Sequence, residues 1–353
     1  MKSGKISESV LQRSVLRQIK TKNKNIINGA AVGADCAIFD TAEDDRLVSC
    51  MQEAVIIVSE DELLTDPYGA MTMEQLLTKC ANNLVCKGAL PIAFQIGLML
   101  PAEFEEAGLK ELMRQANETC ERLARQCYDT IPEKKNTQIQ IVGGQTFVTE
   151  AVKRPVAMVT GYAVASVPEP ASNDLCKLDL VLTKWIGLEG TAYHAGKYER
   201  DLCERYPGHL IQTARTFDSY MSVIPEAKIA WEMGAVCLHD ASKGGIFGAL
   251  WEMAQSMGVG MKIDLKKLPL RQETVEVCEL CNVNPYELMC GGCLIIAAEN
   301  GENMVQALME QEISAVVVGH TTDGKERILI NEDEVRYMDR PKQDALYEKL
   351  MQP

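Results

Sequence analysis

Four short segments of this chain bring glycine together with acidic, basic or hydroxyl side chains: Gly33-Ala34-Asp35-Cys36-Ala37, Val142-Gly143-Gly144-Gln145-Thr146, a run from Thr183 and Lys184 through Gly187, Glu189 and Gly190 to Thr191, and His239-Asp240-Ala241-Ser242-Lys243-Gly244-Gly245. Glycine at the junction of two elements leaves backbone amides free to bind an anion. The third and fourth segments each follow a strand pattern and open a helix pattern, so their amides, with Lys184 or Lys243, have the chemistry of a phosphate cradle. Taken singly, each also reads as simple chain reversal. None has the spacing of a P-loop or a dinucleotide fingerprint, which argues against both.

A second signal is Cys278-Glu-Leu-Cys281 followed eight residues later by Cys290-Gly-Gly-Cys293. Two such pairs are the ingredients of a tetrahedral zinc site. Cys278 falls in a helix pattern, residues 273–280, without the usual knuckle glycine or proline, and Cys290 and Cys293 flank a Gly-Gly turn. That context favours core cysteines over zinc or a redox pair.

These segments need elements to hold them. Apolar residues at three- and four-residue steps predict a long amphipathic helix over 103–128 and another over 72–87. Strand-like runs lie at 47–58, 93–100, 138–142 and 156–164. Further strands are expected at 179–185, 235–239, 293–298, 315–318 and 327–330, with helices from 189, over 226–233 and over 246–257. The Pro- and Ser-bearing stretch from 165 to 174 has no periodicity. It suggests domains at 1–165 and 178–353 joined by a linker at 166–177.

Composition bounds the function. The chain has 353 residues, 46% hydrophobic and 24% charged, the profile of a globular protein with a sizeable core. Its 36 basic and 50 acidic residues give a net charge of −14, which repels nucleic acid and anionic lipid. The amino terminus has no signal-peptide pattern, and the longest apolar stretch, 89–101, is interrupted by Gln95 and too short to span a bilayer. Thirteen cysteines in apolar contexts fit reduced thiols, and only four histidines argue against a multi-histidine metal centre. These features predict a cytoplasmic protein with neither nucleic acid nor membrane as partner.

In order and spacing, the four glycine segments resemble the PurM-like superfamily of aminoimidazole ribonucleotide synthetase, selenophosphate synthetase, thiamine-monophosphate kinase and the hydrogenase maturation factor HypE, and within it the AIR synthase-related, HypE-like proteins. The resemblance covers nearly the whole chain. It implies an α+β, two-domain protomer with mixed sheets and packed helices, whose amino-terminal sheet forms the dimer. It implies ATP and Mg2+ in a cleft partly supplied by the partner subunit, and transfer of phosphate from ATP to activate an amide, carboxamide or similar oxygen. It assigns Asp35 to the metal, Asn83, Gly143, Gly144, Gln145 and Thr146 to the nucleotide, and Lys184, Glu189, His239 and Asp240 to the substrate.

The chain departs from that pattern where relatives carry charge. Ala34 precedes Asp35, Ser49-Cys50-Met51 stands where a Ser-Thr-Asp is expected, the Asn-Asp pair reads Asn82-Asn83, and Gln145 and then Phe147 occupy acidic or histidine positions. Asp66, in a displaced Thr-Asp-Pro, is a candidate replacement ligand, as are Glu53, Glu60 and Asp61. The terminus reads Tyr347 to Pro353 rather than the Pro-Arg-Ile-Cys tail of HypE proteins, which argues against thiocarbamate chemistry from it. A degenerate, non-catalytic member that binds a nucleotide or metabolite, or that pairs with an active paralogue in a heterodimer instead of forming a homodimer, is the alternative.

Overall fold

In the computed structural model, residues 8–19, 23–41, 45–59, 61–62, 66, 69–165, 175–341 and 344–346 are described. Most of the expected linker, and Glu60, lie outside them. The chain forms two units: one gathers Asn23–Gly29 and Asp35–Val167, the other Met1–Lys22, Ala30–Ala34 and Pro168–Pro353. Among the described residues, no helix is long and apolar enough to cross a membrane.

The first unit is built on a six-stranded sheet of β1 (Ile26–Asn28), β2 (Cys36–Asp40), β3 (Arg46–Val55), β4 (Leu90–Leu100), β5 (Gln140–Val148) and β6 (Val156–Ala165). Their order is β1-β2-β3-β6-β4-β5, antiparallel except for the β4–β5 pair. Two helices cover one face. The first starts at Thr72, whose hydroxyl accepts from Gln75 N while the Gln75 side chain accepts from Thr72 N, a capping box. It runs over Met73–Val85, numbered α2 after a short α1 at Glu8–Val10, and buries Leu76, Leu77, Cys80 and Leu84. The amphipathic helix expected over 103–128 is α3 (Glu106–Tyr128), which buries Leu112, Ala116, Cys120 and Leu123. The other face of the sheet carries Met51, Phe147 and Met158 at 58%, 59% and 37% exposure.

Strand β5 runs on past residue 142, where the sequence suggests its end, through Gly143 to Val148. Gly143 and Gly144 have φ of +146° and +148° and pair with Gln95 and Ile96. A Cβ on Gly144 would lie 1.9 Å from Ile96 O, so close backbone approach requires glycine there.

The second unit holds a seven-stranded sheet of β7 (Asp179–Thr183), β8 (Cys237–Asp240), β9 (Gly260–Asp264), β10 (Leu294–Ala298), β11 (Ala315–Thr322), β12 (Arg327–Asn331) and β13 (Glu334–Tyr337). The order is β13-β12-β9-β11-β7-β10-β8, with β9 and β12 parallel. Central strands read as continuous apolar runs: Leu294 to Ala298 are all buried. Helices α4 (Leu188–Lys197), α5 (Glu199–Arg205), α6 (Gly208–Arg215), α7 (Ile224–Glu232), α8 (Gly245–Met257), α9 (Gln272–Cys281) and α10 (Gly301–Met309) complete the unit. Gly33, with φ +75°, packs here, since a Cβ on it would meet Glu252 O at 2.5 Å.

Candidate functional site

Strands β7, β10 and β8 are neighbours, with β10 antiparallel to both, so the carboxyl ends of β7 and β8 and the amino end of β10 share one edge. Three sequence segments meet there. The turn after β7 becomes α4 through Gly187, and the turn after β8 becomes α8 through Gly244, both glycines left-handed with φ of +68° and +92°. The Cys290–Cys293 turn bridges them. Gly190 N donates to Met289 O at 2.9 Å and Gly291 N to Glu189 Oε2 at 3.2 Å. On the other side, Cys290 N donates to Ser242 O at 3.2 Å and Ala241 N to Cys293 O at 2.9 Å. The sequence pairs Cys290 with Cys293 but gives no sign that their turn joins two distant motifs.

The glycine amides that open the two helices are engaged within the protein. Gly187 N donates to Cys290 Sγ at 3.2 Å, and Gly244 N to Asp344 Oδ2 at 2.6 Å. Lys184 is likewise held: its Nζ donates to Tyr220 O at 2.8 Å and Ser222 O at 2.7 Å, and pairs with Glu226 Oε1 at 2.6 Å. An ammonium has three donors, and here each has an acceptor. The expectation that Lys184 reaches a substrate phosphate therefore meets a side chain that ties β7 to the start of α7. Glu226 and Asp344 did not stand out in the sequence, because one carboxylate among many carries no pattern. Glu189 is buried against the Gly-Gly turn, His239 Nε2 lies 3.6 Å from Glu252 Oε2, and Asp240 is buried at the end of β8.

The other expected residues lie in the first unit. Asp35 is half-buried just before β2, and Cys36 Sγ donates to Asn83 O at 3.3 Å, which places Asp35 close to the end of α2 that carries Asn83. Gly143, Gly144, Gln145 and Thr146 lie on β5 at the opposite edge of the same sheet. Four strand steps separate β2 from β5, about 19 Å at ~4.8 Å per strand, so one protomer does not bring the two groups together. Gln145 shares the uncovered face with Phe147 by strand alternation. Asp66 is fully buried and its Oδ2 accepts from Ala70 N at 2.6 Å, anchoring the approach to α2.

Among the described residues, no group of three or more His, Cys, Asp or Glu side chains is gathered to hold a metal ion. The two cysteine pairs separate: Cys290 and Cys293 lie in the main core with Leu182 and Ile295, whereas Cys281 packs with Ala195 and Val277. Burial holds the Cys293 thiol well above its usual range, reinforced by its bond with Cys290, and pushes Cys278 up to about 12. In the first unit a hydrogen bond with Cys50 and burial raise Cys36 in the same way.

Fold and site together define a protein of the two-domain α+β class with glycine-rich turns at strand ends. The chain belongs to the AIR synthase related protein family: the family's N-terminal domain matches residues 33–165 and its C-terminal domain residues 179–331. It is 21% identical over 337 residues to a Methanocaldococcus jannaschii protein named for hydrogenase expression and formation, covering 93% of this chain and 91% of that one. It is 36% identical over 225 residues to the carbamoyl dehydratase HypE of Rhodobacter capsulatus, 63% of this chain and 60% of that protein. A solved structure of hydrogenase maturation protein HypE in complex with ATP superposes with a TM-score of 0.65 at 16% identity, covering 98% of this chain and 97% of that one. The mixed-sheet, two-domain architecture expected from the glycine segments is the one observed.

Proposed function

We propose that this protein is an ATP-dependent enzyme that transfers phosphate from ATP to an amide, carboxamide or similar oxygen of a small substrate and so activates that oxygen for displacement. The observation that carries the reading is the placement of the family's motif residues on this fold, with Cys36, next to Asp35, bonded to the backbone carbonyl of Asn83. The carbamoyl dehydratase relative and the ATP-bound neighbour support the substrate class and the nucleotide.

Asp35 and Asn83 of one protomer would meet Gly143 to Thr146 of a second, seated on the uncovered apolar face of the sheet. The separation of the two groups within a single sheet supports that arrangement. Glu189, His239 and Asp240 are proposed to contact substrate. Mg2+ fits Asp35 as one carboxylate ligand with Asn83 as a neutral oxygen, since magnesium bound with nucleotide takes one or two carboxylates and fills its shell with phosphates and water. Asp66 Oδ2 accepts from Ala70 N, so its second oxygen is the atom that could reach an ion. Bound, the ion neutralises charge on the triphosphate; the chain's own part is to orient the nucleotide and hold the acceptor.

Calorimetry with Mg-ATP tests the reading. Binding that weakens tenfold or more in Asp35→Asn supports it, and no binding at millimolar nucleotide would overturn it. The neutral residues Met51, Asn83 and Gln145 favour a second reading, a non-catalytic nucleotide binder or partner of a paralogue. Binding of equal strength without Mg2+, and no ADP formed with carboxamide acceptors, would select it.

A further inference from the structure

Phosphate transfer leaves the Cys290-Gly291-Gly292-Cys293 turn unused, yet contacts converge on it. Cys293 N donates to Cys290 O at 3.1 Å, and Gly292 has φ +103°, the backbone of a type II turn with glycine in its third position. Such a turn holds its first and fourth Cα atoms within about 7 Å, the span that a disulfide bridges. The two sulfurs are 3.2 Å apart, and a disulfide bond of about 2.05 Å requires roughly an ångström of further approach. Gly292 does not tolerate a side chain, since a Cβ would meet Tyr220 O at 2.6 Å on a backbone of φ +103°, and a Cβ on Gly291 would displace the Glu189 carboxylate.

The thiols also form a relay. Gly187 N donates to Cys290 Sγ at 3.2 Å, Cys290 donates to Cys293, and Cys293 donates to Trp185 O at 2.6 Å. Both ends of the relay lie on one three-residue segment, the entry to the Gly187–Thr191 turn. Oxidation removes both thiol protons. Trp185 O then loses the S–H it accepts, in a site where both cysteines are fully buried.

We propose that Cys290 and Cys293 are a reversible dithiol–disulfide pair, a modification site whose oxidation loosens the 185–191 turn. This goes beyond phosphate transfer and does not depend on it. The oxidant is a low-molecular-weight disulfide such as oxidised glutathione. Local opening admits it, because the thiols are buried in the closed state. Cys290, whose sulfur accepts the Gly187 N–H, gives up its proton on opening and attacks one glutathione sulfur, and the S–S bond of the oxidant breaks to release one glutathione thiol. Cys293 then attacks the Cys290 sulfur of the mixed disulfide and releases the second. Two protein thiols lose two protons and two electrons, and one oxidised glutathione becomes two reduced ones.

The test equilibrates the full chain in glutathione buffers of graded ratio, alkylates free thiols and maps disulfides by peptide mass spectrometry. The expected result is a Cys290–Cys293 link that forms and reverses with the buffer ratio, is lost in Cys293→Ser, and raises amide exchange in the 185–191 peptide at least tenfold. Thiols that stay reduced in the folded wild-type chain under fully oxidising buffer, or a link that leaves exchange over 185–191 unchanged, would overturn the proposal. Both readings come from the wild type, so a variant that fails to fold does not remove the test.

Discussion

Lys184 Nζ lies 2.6 Å from Glu226 Oε1, and both side chains are almost fully buried. A buried pair of this kind is costly to break, because removing one partner leaves the other charge unpaired away from water. Lys184→Met is therefore expected to lower stability by about 3–5 kcal/mol, and Lys184→Met with Glu226→Met to recover most of that loss. Denaturant unfolding of the two variants checks this; a double variant no more stable than the single would show that the pair is not the source of the effect.

Gly144 and Gly143 are adjacent on β5 but differ in their surroundings. Gly144→Ala is expected to cost on the order of 3–5 kcal/mol, because its Cβ would meet Ile96 O at 1.9 Å. Gly143→Ala meets nothing within 4 Å and should carry only the strain of its φ of +146°, about 1–3 kcal/mol. Thermal melts of both variants measure the difference, and equal losses would contradict the pairing of β4 with β5.

Met51 is 58% exposed on β3, so Met51→Asp is tolerated by the fold. If nucleotide binds beside Asp35, the added carboxylate should make Mg2+ dependence of ATP binding steeper, with affinity for the ion up several-fold. Calorimetry at graded Mg2+ reports this directly. An unchanged Mg2+ dependence would count against a metal at this end of the sheet.

Phe147 stands 59% exposed on β5, on the same uncovered face as Met51 on β3 and Met158 on β6. This is the face on which the second protomer is proposed to sit. Phe147→Glu is expected to convert a dimer to a folded monomer in light scattering, with circular dichroism unchanged. A wild-type protein that is already monomeric at micromolar concentration would exclude the dimer proposed here.

Alkaline pH should destabilise the protein through its buried thiols. Burial pushes Cys120 to about 11 and Cys278 to about 12, so the folded state keeps thiol protons that the unfolded state releases near its ordinary value of 9.0. A folded pKa raised above the unfolded one gives stability that is complete below about pH 9 and declines as pH rises toward the folded values. The melting temperature is expected to fall between about pH 9 and about pH 11, and to fall less in Cys120→Ala.

The amphipathic periods of α2 and α3, the apolar runs of the central strands and the glycines that open α4 and α8 are all legible along the chain, because local periodicity and backbone freedom are written in adjacent residues. The four ordered glycine segments likewise specify the family and with it the fold. What needed the tertiary structure is where side chains separated by tens of residues meet. Lys184 looks like a phosphate ligand in sequence, yet the approach of Glu226, Tyr220 and Ser222 engages all three of its donors. Gly143 to Thr146 look like the loose end of a strand, yet pairing with β4 extends the strand through them, far across the sheet from Asp35. Cys290 and Cys293 read as core thiols, and their neighbours make them the bracket between two motifs. Residue type sets what chemistry is available; burial and the partners that long-range packing supplies decide which groups remain available to use it.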